Sequence, residues 1–256
     1  MLDRIEIISV FQNYTKDYNE ALNDIDRKIL HTFRVAKAAD QIGGTISSDG
    51  KDSDEQCRDF CWFLGILHDI GRFEQERRYG TYVDSISVDH AELGADILFR
   101  DGLIDAFPTE RLMEDWREIA EVAVRNHNKL SLPSDLDPRT RLYSTIIRDA
   151  DKTDIFRVVA TTPYEQLVGK GKSHFSYDPI VSEAVMACVL ERRCVSRMIV
   201  KSKIENLITT CCMAFDLELE VTRQLVKEQG YLLQILESGI DTQVEQMGIA
   251  HRAGLA

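Results

Sequence analysis

Hydrophobic residues along the chain return mostly at spacings of three and four, the period of helices with one buried face. Residues 2–18 carry Ile5, Ile8 and Phe11 in this rhythm, and residues 22–42 carry Leu22, Ile25, Ile29, Leu30, Val35 and Ala38. Gly43-Gly44 closes the second helix, and 45–53 reads as a polar loop. Ser53 followed by Gln56 predicts a capping box for a helix over 54–68, with Gly71 stopping it. The stretch 72–88 reads as a loop with short turns. Asp89 with Glu92 predicts another capping box, opening a helix over 90–100 that Asp101-Gly102 closes. A helix over 110–127 follows. Asp137-Pro138 supplies an N-cap and a proline at the first helical position, so the next helix runs from 138 to about 160.

Thr162-Pro163 opens an irregular segment to about 177. Asp178-Pro179 starts another helix in the same manner, and three more helical stretches fill 199–247. No long segment of period two stands out. The pattern predicts an all-α fold: a helical domain over 1–162 and a helical C-terminal extension over 163–256, packed on the same core.

Composition narrows the classes. Hydrophobic residues are 44% and charged residues 29%, with only 5 Pro and 14 Gly, a globular balance that disfavours a disordered or collagen-like chain. Lys and Arg total 31 against 43 Asp and Glu, and the net charge of −12 disfavours extended nucleic acid as a partner. Cys57, Cys61, Cys188, Cys194, Cys211 and Cys212 form no CxxC pair, so neither a zinc ribbon nor a thioredoxin motif is expected. Cys57 and Cys61, one helical turn apart, are expected to pack in the core. No signal segment is recognised, and no apolar run approaches the roughly 20 residues a membrane helix needs. A cytoplasmic protein with reduced thiols and no membrane partner is the expectation.

Four histidines lie on or at the ends of separate predicted helices: His31, His68, His90 and His127. His68 precedes Asp69 in ILHDIG, and Asp151 sits in IIRDADKTDIFR. The gaps are too long for a local metal clip, so a site has to be assembled by packing helices, each contributing one inward ligand. His68 ends its helix, where the backbone can turn adjacent side chains toward one point; mid-helix neighbours diverge by about 100°. Taken singly, each His is more often a satisfied polar residue, and Asp151 a helix-surface charge. A calcium loop in DADKTD fails, because its sixth position is Asp154 and not Gly.

Taken together, HTFRVAKAA at 31–39, ILHDIG at 66–71, DHAELGADIL at 89–98, NHNK at 126–129 and DADKTDIFR at 149–157 resemble the HD superfamily of metal-dependent phosphohydrolases. The resemblance covers about residues 20–160 and implies an all-α domain with metal at its centre. It implies His31, His68, Asp69 and Asp151 as ligands of a first divalent ion. Asp69 would bridge to a second ion that takes His90 and His127. It also implies hydrolysis of a small phosphate ester, a nucleotide or related monoester or diester, by a metal-activated water, with Asp69, Asp151 and Arg72 in catalytic roles. Mixed imidazole and carboxylate ligands suit Mn, Fe, Zn, Co or Ni better than Mg. Two features depart from family subgroups: Arg72 stands where many diesterase members have Lys, and the Gly-Tyr-Pro signature of the cyclic-dinucleotide subgroup is missing.

Cations near the motifs are candidates for phosphate contacts: Arg34, Arg72, Lys129 and Lys152, with a surface ion pair the alternative for each and the favoured reading for Lys129, Lys152 and Arg78. Arg can hold a phosphate bidentately and Lys cannot. GKGKSH at 169–174 is not a P-loop, since the glycine required five residues before Gly171 is Gln166 and no strand precedes it; it is read as a basic loop near the site, with His174 a weak extra candidate. Two other functions use the same ligand set: a di-iron oxygenase cleaving a C–C or C–P bond, and a non-enzymatic metal-dependent sensing module. The C-terminal third is open to building a homodimer interface, capping the site or completing the core.

Overall fold

Most stretches of helical period become helices in the computed structural model, which describes residues 2–18, 25–46, 52–163 and 180–239. The fold is all-α, with no strand among the described residues. The chain divides into two compact units, Met1–Asp151 and Lys152–Ala256, and the division falls inside one long helix.

In the first unit, α1 (Arg4–Lys16) is capped by Asp3, whose carboxylate accepts from the Ile5 and Glu6 amides. It buries Phe11 edge-on against Phe33 and Phe73, with ring centroids 5.5 and 5.8 Å away. Arg4 reaches Asp40 on α2 (Ile25–Gly43) at 2.6 Å and Asp59 on α3 (Asp54–Leu67) at 2.8 Å. The Ser53–Gln56 capping box forms in both directions. Helices α2 and α3 pack closely because of Gly65: a Cβ there would lie 2.3 Å from the Ala36 Cα. Cys57 and Cys61 are buried on α3, and all six cysteines are free thiols.

Gly71 does not stop α3. That helix ends at Leu67, and α4 (Ile70–Tyr79) begins almost at once, with Gly71 in its first turn. The expected loop over 72–88 is therefore helical up to Tyr79. Its inward face includes Glu74 and Gln75 beside Phe73, so the apolar period is faint. The carboxylate of Glu74 accepts from Tyr18 at 3.0 Å and pairs with Arg77 at 2.5 Å and with Arg78. Gln75 donates to Asp84 at 2.8 Å and to the Val88 carbonyl at 2.9 Å. Gly80 ends α4 at φ 59°, in the left-handed region. A Cβ on Gly71 would lie 2.1 Å from the His90 carbonyl oxygen, so α4 meets α5 (His90–Ala95) through main-chain atoms.

Asp89 caps α5 through the Ala91 and Glu92 amides, while Glu92 pairs with Arg125 at 2.8 Å. The helix expected over 90–100 changes character midway: after Ala95 it widens into a π turn over Asp96–Arg100, closed by a 2.9 Å bond from the Asp101 amide to the Asp96 carbonyl. Helix α6 (Trp116–Asn126) starts later than the expected residue 110, because Leu112 and Met113 are buried in the preceding turns and Asp115 pairs with Arg139 at 3.1 Å. Helix α7 (Pro138–Thr161) begins where Asp137-Pro138 predicts, with the Asp137 carboxylate accepting from the Arg139 and Thr140 amides.

The second unit contains the end of α7, then α8 (Glu183–Leu190), α9 (Lys203–Cys212), α10 (Glu220–Gln229) and α11 (Tyr231–Gly239). Its core joins Phe156, Val185, Cys188, Ile208, Cys211 and Ile235. Ser202 and Glu205 form a reciprocal capping box on α9. Leu22, GKGKSH with His174, the Asp178-Pro179 start and the end of the last expected helix lie outside the described residues. Among the described residues, no helix is long and apolar enough to cross a membrane.

Candidate metal centre

The junction of α3 and α4 orients the HD pair. His68 keeps helical geometry at φ −54°, ψ −41°, but Asp69 breaks it at φ −103°, ψ 16°. Asp69 stands at the N-cap position of α4 yet makes no side-chain cap bond, so its carboxylate is left to face the imidazoles. His31 comes from α2, His90 opens α5, His127 follows the last residue of α6, and Asp151 lies on α7. All four histidines and Asp69 are buried.

The two oxygens of Asp69 look in different directions. Oδ2 is 3.5 Å from His31 Nε2 and 3.7 Å from His68 Nε2. Oδ1 is 3.4 Å from His90 Nε2 and 3.7 Å from His127 Nε2. Within each pair the imidazoles converge: Nε2 of His31 and His68 are 3.4 Å apart, and Nε2 of His90 and His127 are 3.0 Å apart. Asp151 Oδ1 joins the first pair, 3.1 Å from His31 Nε2 and 3.8 Å from His68 Nε2. Ligand atoms of His31, His68 and Asp69 lie within 4.8 Å of one another, as do those of Asp69, His90 and His127.

Three of the rings are held so that Nε2 carries the lone pair. His68 Nδ1 donates to the Gly65 carbonyl at 2.8 Å, and His127 Nδ1 to the Val124 carbonyl at 2.7 Å. His90 Nδ1 donates to Asp84 Oδ2 at 2.7 Å. Such outer contacts fix the tautomer and ring direction of metal-binding histidines. Burial pushes His68 down to about 4 and, with Arg72 nearby, His90 down to about 3, so both rings are neutral at pH 7. Burial raises Asp69, but Lys28 and the imidazoles outweigh it and hold the carboxyl well below its ordinary range. Burial likewise opposes ionisation of Asp151, and the bond from His31 wins. Imidazole Nε2 atoms converging on the ionised carboxylates of Asp69 and Asp151 make a donor set that fits divalent transition-metal ions.

Around this set the structure adds residues the sequence does not single out. Lys28, one turn before His31, places Nζ 2.9 Å from Asp69 Oδ2. Asp84 lies in the loop after α4 and orients His90, while Asn128 donates to Asp84 at 3.2 Å and to Asp89 at 2.8 Å. Buried Arg148 donates to the carbonyls of Asn126, at 3.2 Å, and of Lys129, clasping the turn that carries His127. Arg72 is beside the centre, as expected, with Nε 3.5 Å from Asp69 Oδ1. Its Nη1 donates to Tyr82 O at 2.6 Å, Asp84 at 2.8 Å and Gln75 at 2.9 Å.

Other expected phosphate contacts are engaged elsewhere. Lys129 Nζ is held by Asp89 at 2.5 Å and Glu92 at 3.2 Å. Lys152 is buried in the second unit with Nζ 2.6 Å from Asp216 Oδ2 and 2.8 Å from its carbonyl, which corrects the expectation drawn from its adjacency to Asp151. Mid-helix neighbours diverge, so sequence adjacency on α7 does not bring the two side chains to one place. Arg34 is half-buried on α2, one turn beyond His31, and Arg78 is half-exposed on Glu74.

The family model for the HD domain matches residues 29–155, a span that contains His31, His68, Asp69, His90, His127 and Asp151. Residues 29–155 are thus an HD domain, and most of that family are metal-dependent hydrolases. No curated protein matches the chain. No solved structure matches it either.

Proposed function

We propose that the protein is a metal-dependent phosphohydrolase acting on a small phosphate ester, a nucleotide or related phosphate compound. In this reading His31, His68, Asp69 and Asp151 hold one divalent ion, and Asp69, His90 and His127 hold a second. The observation that carries it is the split of Asp69, with Oδ2 toward the His31 and His68 imidazoles and Oδ1 toward those of His90 and His127. Divalent ions held there would supply an activated water and offset negative charge on the phosphoryl oxygens.

The remaining chemistry belongs to the chain. Neutral His68 and His90 offer lone pairs without first losing a proton at pH 7. Asp84 fixes the ring of His90, and Arg72 braces both Asp84 and Asp69. With its Nη1 shared among three acceptors, Arg72 acts as a positioning residue more than as a hand for substrate.

The test is elemental analysis of the purified protein followed by phosphate release from an aryl phosphate, with and without oxygen. The expected result is up to two equivalents of Mn, Fe, Zn, Co or Ni per chain and phosphate release that ignores oxygen. Asp69→Asn should lose both metal and activity. Oxygen uptake with iron bound and no phosphate release would overturn the hydrolase in favour of the oxygenase; metal without turnover of either kind would favour a sensing module.

A further inference from the structure

Lys28 is the cation at the centre that the family motifs leave out. It sits one turn before His31 on α2, and Nζ lies 2.9 Å from Asp69 Oδ2, the oxygen that faces His31 and His68. The side chain is 20% exposed, against 4% for Asp69, so it links the buried carboxylate to solvent. Its ammonium also lies 5.5 Å from the centre of the Tyr82 ring. The Tyr82 carbonyl in turn accepts from Arg72. Asp69 therefore has a cation near each oxygen, and the two are held differently. Arg72 is tied on Nη1 by the Tyr82 carbonyl, Asp84 and Gln75. Lys28 has Asp69 as its one ion-pair partner among the described residues.

A divalent cation drawn to Asp69 Oδ2 repels an ammonium sitting on that oxygen. A flexible four-carbon stem lets the ammonium move where a braced guanidinium cannot. We propose that Lys28 binds the phosphoryl oxygens of the substrate, and that its added positive charge favours a phosphate monoester dianion over a diester. The inference rests on the hydrolase reading for its substrate, but its geometry requires only that an oxyanion enter beside Asp69. In the metal-free protein the same lysine balances Asp69. Once the carboxylate is engaged by metal, the lysine turns to the anion. A diester carries one negative charge fewer on phosphorus oxygen and gains less from it.

The experiment uses the metal-loaded full chain as wild type, Lys28→Met and Lys28→Arg. Metal content is measured first, then inorganic phosphate binding by calorimetry, then kcat/KM on an aryl phosphomonoester and on a bis-aryl phosphodiester. Lys28→Met keeps the apolar stem and should retain its metal. It should lose about tenfold or more in phosphate affinity and in monoester kcat/KM, the scale of one charge-assisted hydrogen bond. The diester rate should fall by less, and Lys28→Arg should recover most of the phosphate affinity. Unchanged phosphate affinity in Lys28→Met overturns the proposal, as does equal loss on both esters. Loss of metal in Lys28→Met would assign the lysine to the carboxylate alone and overturn it as well. If wild type hydrolyses neither ester, the hydrolase reading fails, while the phosphate titrations still decide the role of Lys28.

Discussion

Replacing Gly65 by Ala sets two known effects against each other in the contact that brings His31 and His68 together. Alanine is the better helix former, and at an open mid-helix position the change would gain about 1 kcal/mol. Gly65 is not open. A Cβ there would stand 2.3 Å from the Ala36 Cα, 2.7 Å from the Ala36 nitrogen and 3.0 Å from the Ala36 Cβ. Ordinary carbon contacts begin near 3.5 Å, so α2 and α3 would have to part by roughly 1 Å. The nearest obstacles are main-chain atoms that cannot rotate aside, which places the cost at or above the upper end of the roughly 1–3 kcal/mol for overpacking. The net effect is a loss of about 2 kcal/mol, seen as a fall in Tm of roughly 4–8 °C. His68 lies three residues beyond Gly65 and bonds to its carbonyl at 2.8 Å, while His31 Nε2 is 3.4 Å from His68 Nε2. The separation should therefore also weaken metal binding at the His31–His68 pair. Thermal unfolding and metal titration of the purified variant give both readouts. A Gly65→Ala protein more stable than wild type with full metal affinity would refute the close approach and the way it positions the centre.

Three further outcomes are expected. His127→Ala should remove about one equivalent of metal and leave the other, because His31, His68, Asp69 and Asp151 remain; metal analysis showing loss of both would argue against two separable ligand sets. Arg148→Met should destabilise the protein by about 2 kcal/mol, since it removes a buried guanidinium that donates to the carbonyls of Asn126 and Lys129, and metal analysis should show the His127 equivalent reduced. Burial raises the pKa of Glu74, but its bonds to Arg77, Arg78 and Tyr18 more than offset that and bring it below 4.5. A lowered folded pKa contributes stability above the unfolded value that is lost as pH falls through the folded one. Urea titrations from pH 6 to pH 3 should show wild type losing more stability than Glu74→Gln, by at most about 1 kcal/mol because both arginines are exposed; parallel curves would remove Glu74 as a source of acid sensitivity.

The candidate ligand residues could be picked out because each stands in a local phrase, such as ILHDIG or NHNK, whose order along the chain is informative. Helix starts were legible where a cap is spelled out, at Ser53 and at Asp137-Pro138. Helix α4 was not, because its buried face includes Glu74 and Gln75, whose partners Tyr18 and Asp84 come from other segments. Periodicity treats buried polar residues as exposed ones. Lys28 reads as an ordinary surface lysine until α2 is brought beside the α3–α4 junction. Asp84 gives no spacing signal, since it reaches His90 across a loop. Lys129 and Lys152 are close in sequence to His127 and Asp151, yet sequence adjacency says nothing of where an ammonium group ends, and the structure pairs them with Asp89 and Asp216.

The meeting of α4 and α5 at Gly71 limits how this chain can drift. A methyl group there would be 2.1 Å from the His90 carbonyl, whereas one on Gly94 would be 3.0 Å from the Gly71 nitrogen. The first obstacle is main chain belonging to a proposed ligand, so no compensating side-chain change elsewhere can make room. In a saturation library, position 71 should return glycine alone, while position 94 should admit alanine after a shift of a few tenths of an ångström. The histidine that opens α5 is thus guarded by a residue with no chemistry of its own.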